Sequence, residues 1–109
     1  MSEPSSTVRG TVDVERMRQK ARSASALLKA MGNERRLMIL FYLLQAERSV
    51  SELQELIGIS QSALSQHLAR LRADSLVSTR RRAQSIYYSV SDASVGEIAM
   101  TLQRIFAAR

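Results

Sequence analysis

The sequence predicts an α+β domain, mainly α, built of four helices, a β-hairpin and a C-terminal helix. Three observations predict it. Apolar residues recur at helical spacing from Asp13 to Ala73 and again beyond Asp92. Between those stretches the period falls to two, with Val77 and Thr79, then Ile86, Tyr88 and Val90, on alternate positions. Only Gly58 and Ile59 separate one helical stretch from Ser60, a capping residue for the next, so two helices must meet at a sharp turn.

The first helix spans Asp13 to Met31. Met17, Ala21, Ala24, Leu27, Leu28 and Met31 fall on one broad stripe, and Gly32 stops it. Asn33 caps a second helix, about Glu34 to Gln45, whose apolar face is wide enough to demand central burial, with its Met and Phe in the core. "SVSE" at 49–52 has the spacing of a capping box, Ser49 bonding the amide of Glu52 while Glu52 reaches back. The short helix behind it turns Val50, Leu53, Leu56 and Ile57 inward until Gly58. A fourth helix runs from Ser60 to Ala73, with Leu64, Leu68 and Leu71 as its buried stripe. "RRRAQ" at 80–84 is the hairpin tip, and its lack of glycine leaves the turn type open. The last helix lines up Val95, Ile98, Leu102, Ile105 and Phe106.

A chain of 109 residues builds one modest core, so residues 13–109 are expected to form a single domain and the polar residues 1–12 a mobile arm. The stripes of the first and last helices exceed what so small a domain covers. Two-fold dimers are the commonest soluble assembly, which predicts a homodimer with Met17, Ala21, Ala24, Leu28, Ile98, Leu102, Ile105 and Phe106 in the seam.

The net charge is +6, which favours anionic partners, nucleic acid first. Of the sixteen basic residues only Lys20 and Lys29 are lysine, and arginine suits planar, forked contacts to phosphate and guanine. Absence of cysteine excludes disulfides, thiolate metal ligands and thiol redox chemistry, and permits a cytoplasmic location. "LMILFYLL" at 37–44 falls far short of the roughly 18 residues of a membrane span, so no membrane is expected.

The fourth helix carries the chemistry. Opposite its leucines lie Ser62, Ser65, Gln66, Ala69 and Arg70, and no acid occurs from residue 56 to residue 73. An ordinary solvated face would mix Glu with Lys. Glutamine pairs with adenine, arginine with guanine and serine with either, and small neighbours permit close approach in a major groove. Gln61, Ser62, Ser65 and Gln66 occupy the first two turns, the part of a recognition helix that reaches base edges. Phosphate contacts are expected from Ser60 and the amides beside it, from His67 at the edge of the apolar stripe, and from Arg70. Arg80, Arg81 and Arg82 extend that footprint from the hairpin tip. Arg72 either joins them or pairs with an acid of the preceding helices.

"LLKAMGNERRLMIL", "SVSELQELIGISQSALSQHLARLRADSLVSTRR" and "IYYSV" resemble the ArsR/SmtB family of winged helix-turn-helix transcriptional repressors, over about Ala26 to Phe106. Within it the chain is most similar to the NolR/BigR/SqrR-like branch. The resemblance implies a homodimer whose recognition helices, here Ser60 to Ala73, enter successive major grooves, with residues 77–90 as the wing. Metal-sensing members carry two cysteines where this chain has Ser49 and Ser51, and hydroxyls are poor ligands for soft metals. Of a second family site only Asp92 survives, with Ser94, Ile105 and Ala108 at the other positions, and one carboxylate does not hold zinc. Sulfur-sensing relatives need a cysteine where this chain has Phe41. Relatives often place an acid at the wing tip where this chain has Arg82, which should strengthen binding and its salt dependence.

The expected function is that of a sequence-specific dimeric DNA-binding regulator, a repressor on an inverted repeat, without cofactor or metal. A small-molecule effector of unknown identity is compatible with this reading. The alternative is a protein-interaction module of the same fold, which predicts no salt-dependent DNA binding and an apolar patch outside the dimer seam. An enzyme is not expected, because one histidine, no cysteine and four scattered glycines compose no catalytic constellation.

Overall fold

A computed structural model of the chain describes residues 12–109, so the arm expected over residues 1–12 lies outside the described residues but for Val12. The first helix, α1 (Val14–Met31), begins at Asp13, whose carboxylate accepts the Arg16 amide at 3.0 Å. It ends at Gly32, as expected. α2 (Glu34–Gln45) is capped by Asn33, whose side-chain oxygen accepts the amides of Arg35 and Arg36 at 3.0 and 3.1 Å. From α2 the Arg36 guanidinium reaches back to the carbonyls of Ala30 and Lys29, at 2.7 and 3.2 Å, groups that α1 leaves open at its end.

A two-residue strand, β1 (Arg48–Ser49), precedes α3 (Val50–Ile57), and the capping box of Ser49 and Glu52 is formed at their junction. Gly58, at φ +77°, ends α3 in the left-handed region, and Ser60 caps α4 (Gln61–Ala73) by accepting the Ala63 amide at 3.2 Å. Strands β2 (Val77–Arg82) and β3 (Ser85–Val90) form the hairpin, and α5 (Ala93–Ala107) closes the chain behind its cap, Asp92. The sheet is antiparallel in the order β1-β3-β2, with Tyr88 opposite Arg48 on one side and Thr79 on the other.

The core gathers on α2. Ile39, Leu40 and Leu43 meet Leu53 of α3, Leu64, Leu68 and Leu71 of α4, Leu76, Val77 and Val95. Leu27, Ile57, Tyr88 and Ile98 pack around this centre. The three leucines of α4 are therefore an anchor whose position is set from both neighbouring helices.

Four expectations need correction. Leu56 is exposed, because α3 packs on the core through Val50, Leu53 and Ile57 and turns Leu56 to its flank. Met38 is exposed and Phe41 only half-buried, so the Met and Phe of α2 edge an apolar cleft of about 550 Å³ between α2 and α5 rather than filling the core. β1 was not foreseen. The hairpin turns at Ala83 and Gln84 alone, so Arg80, Arg81 and Arg82 belong to β2 and not to the tip.

α1 touches the body chiefly at its end, where Ala30 and Met31 are buried. Along its remainder Met17, Ala21 and Leu28 are exposed, Leu28 by 60%, and Ala24 is half-buried. α5 divides in the same way: Val95 and Ala99 are buried and Ile98 joins the chain's own core, Leu102 is half-buried, and Ile105 and Phe106 are exposed. No helix among the described residues is long and apolar enough to cross a membrane.

Candidate nucleic-acid interface

α4 shows one face to the core and the other to solvent. With Leu64, Leu68 and Leu71 buried to 2% or less, the helical period leaves Gln61, Ser62, Ser65, Gln66, Ala69 and Arg70 exposed on the outside. The four residues expected at base edges therefore stand together on a free surface. Ser60 is already engaged as the helix cap, and its hydroxyl lies 3.3 Å from that of Ser62. Arg70 donates from Nε to Asp74 Oδ2 at 3.0 Å, one turn on, so part of its charge is answered locally.

His67 is half-buried at the margin of the stripe. Burial first, then the positive charges of Arg36 and Arg35, hold its imidazole below the ordinary histidine range. At neutral pH it is therefore an uncharged ring, able to meet a phosphate only as a neutral donor. Arg35 is exposed at the start of α2, close enough to act on His67, and packing of α2 on α4 brings it there without any signal in the sequence.

Strand alternation separates the three wing arginines. Arg81 lies opposite Ile86, while Arg80 lies opposite Tyr87 and Arg82 opposite Ser85. Arg80 donates Nε and Nη2 to the two carboxylate oxygens of Glu47, at 2.6 and 2.7 Å, and its guanidinium sits 5.8 Å from the centre of the Tyr87 ring. The Arg80 hydrogen bond, opposed in part by burial and reinforced by the charges of Arg80 and Arg82, holds the Glu47 carboxyl below the usual carboxylate range. The same bond raises Arg80. Next to Glu47, Arg48 donates to the Tyr42 carbonyl at 3.3 Å and to Gln45 Oε1 at 2.7 Å. Arg72 makes no ion pair among the described residues and borders a crevice with Ser65, Ala69 and Tyr88.

Between the helix-turn-helix and the wing runs a groove of about 400 Å³. Gln54 of α3, Gln61 and Ser65 of α4, and Gln84, Ser85 and Ile86 of the hairpin border it. Its polar groups are carboxamides and hydroxyls, the uncharged hydrogen-bonding set that reads base and sugar edges. Gln54 and Gln84 were missed in the sequence because only the fold sets them beside Gln61.

The positions that match metal ligands elsewhere do other work. Ser49 and Ser51 stand with their hydroxyls 3.3 Å apart, Ser49 within the capping box. Asp92 accepts the Ser94 amide at 2.8 Å as the cap of α5. No group of three His, Asp or Glu side chains that could hold a metal ion occurs among the described residues.

Comparison with known proteins agrees with this geometry. Residues 33–79 match the pattern of bacterial regulatory proteins of the arsR family. The transcriptional activator HlyU of Vibrio cholerae is 47% identical over 95 residues, covering 87% of this chain and 88% of that protein. The nodulation protein NolR of Rhizobium meliloti is 50% identical over 88 residues, covering 81% and 72%. Among solved structures, the transcriptional repressor BigR from Xylella fastidiosa superposes with a TM-score of 0.83 at 37% identity, over 87% of this chain and 97% of that one.

Proposed function

The chain belongs to the ArsR family of bacterial regulatory proteins, and from that premise we propose that it is a homodimeric repressor that reads an inverted-repeat operator in the major groove. The relatives are transcriptional regulators and not enzymes. The observation that carries the finer reading is the outer face of α4, where Gln61, Ser62, Ser65 and Gln66 are exposed together with no acid among them. Such a face is neutral and short, so it can approach the bases closely.

In the working dimer the exposed lines of α1 and α5, with Met17, Ala21, Leu28, Ile105 and Phe106, meet their counterparts on a second copy. Ala24 and Leu102 border that seam, and Ile98 supports it from within. The two α4 helices then enter major grooves one helical turn apart, about 34 Å along the duplex. Gln66 and Ser65 contact base edges, Gln61 and Ser62 follow at the flank, and the α4 amides, Arg70 and the wing hold the phosphates. His67 donates to a phosphate as a neutral ring. A small-molecule effector would have to bind one conformation of the dimer more tightly than the other in order to release it.

Fluorescence anisotropy with the protein's own upstream DNA and a scrambled duplex of equal length, at several salt concentrations, tests this. Preference for the upstream DNA with a steep salt slope is expected. Gln66→Ala should then lower discrimination at one base position by about 1–3 kcal/mol, and Arg81→Ala should weaken all sequences alike. Absence of salt-dependent binding to either duplex would leave the protein-interaction module as the better reading.

A further inference from the structure

Resting on the DNA-binding reading above, we propose that Glu47 restrains the wing: it holds Arg80 away from the DNA backbone and leaves Arg81 and Arg82 as the hairpin's phosphate contacts. Three consecutive arginines look equivalent in a sequence, but a strand sends them to alternate faces. Arg81 shares a face with Ile86, and Ile86 borders the groove that also holds Gln61 and Ser65 of the recognition helix. Arg80 shares the opposite face with Tyr87 and is gripped there by Glu47 through two hydrogen bonds of 2.6 and 2.7 Å.

The grip has a specific electrostatic result. Glu47 and Arg80 together carry no net charge, so a phosphate approaching Arg80 meets a carboxylate at the same time. Counterion release counts only charge that neutralises phosphate, and the pair offers none. A forked arginine–carboxylate contact is the geometry in which an exposed ion pair is best defined. Tyr87 beneath the guanidinium and the anchored neighbour Arg48 fix both ends of the contact. Glu47 is thus a positioning residue. It sets how much sequence-independent affinity the wing supplies, and with it the margin of the operator over random DNA.

The test compares salt slopes of binding to upstream and scrambled DNA for the full chain and four variants. Arg81→Ala should flatten the slope by about 0.9 unit, whereas Arg80→Ala, which removes no phosphate contact and only uncovers the Glu47 carboxylate, should flatten it far less. Glu47→Gln frees Arg80, so the slope should steepen by about 0.9 unit and affinity for scrambled DNA should rise. The double variant Glu47→Gln/Arg80→Gln should return to the wild-type slope, which a general loosening of the fold by Glu47→Gln would not do. Equal flattening by Arg80→Ala and Arg81→Ala, with wild-type binding intact, overturns the restraint alone. No salt-dependent binding by the wild type overturns the DNA-binding reading and this inference with it.

Discussion

Ser49 and Glu52 bond each other reciprocally: the Glu52 amide donates to Ser49 Oγ at 3.2 Å, and the Ser49 amide donates to Glu52 Oε1 at 2.8 Å. Ser49 also belongs to β1, paired with Tyr87 of the wing. One exchange therefore fixes both the start of α3 and the strand that ties the hairpin to it. Ser49→Ala is expected to cost about 1 kcal/mol in urea denaturation. Hydrogen exchange should locate the damage, with the α3 amides and those of β3 losing protection together while α5 keeps its own.

Gly58 makes the turn between α3 and α4 at φ +77°, and a methyl group added there would meet nothing within 4 Å. The demand is thus conformational and not steric crowding. Gly58→Ala should destabilise by about 1–2 kcal/mol, and Gly58→Asn by less, since asparagine tolerates the left-handed region. Thermal unfolding of both variants checks the order; equal losses would contradict the conformational account.

Leu28 is 60% exposed on a helix whose body contacts lie mainly at Ala30 and Met31. In the dimer proposed here it is covered. Leu28→Glu should leave the isolated fold nearly unchanged, within about 0.5 kcal/mol as for other exposed sites, yet shift the protein to monomer. Sedimentation velocity across a concentration series measures this, and a variant that sediments as the wild type would place the seam elsewhere.

His67 predicts a pH dependence with a definite sign. Its folded-state pKa lies below the unfolded value of about 6.5, so on acidification the unfolded chain takes up the proton first. Stability is unaffected by this group above that value. It falls as the pH drops from about 6.5 toward the lower folded-state pKa. His67→Gln should remove this slope, measured by denaturant titration between neutral pH and pH 5. A wild type equally stable across the interval would show that the ring is not held neutral.

Caps and stripes made most of the helices legible. Asn33, Ser49 and Ser60 each accept the amide that their position promised, and Leu64, Leu68 and Leu71 are buried as the period requires. What a stripe does not tell is whether anything covers it, and Leu56 and Met38 are apolar positions left exposed. β1 has two residues and hence no period to detect. The hairpin tip is hidden in the sequence because its left-handed residue is Ala83, at φ 56°, where glycine is the usual signal. The outer face of α4 could be listed from the chain alone. The partition of Arg80, Arg81 and Arg82 could not, because it depends on strand register and on Glu47, thirty-three residues away.

The order β1-β3-β2 puts β3 at the centre and makes β2 the longer of the two edge strands. An open six-residue edge is a template for adding further strands, the usual beginning of sheet aggregation. Here half of that edge is arginine, and Arg81 and Arg82 carry charge beyond the one that Glu47 answers at Arg80, so a second copy arriving edge to edge meets like charge. Charge suited to a polyanion thus also keeps the wing from polymerising, and leaves the helices as the route to the dimer proposed above.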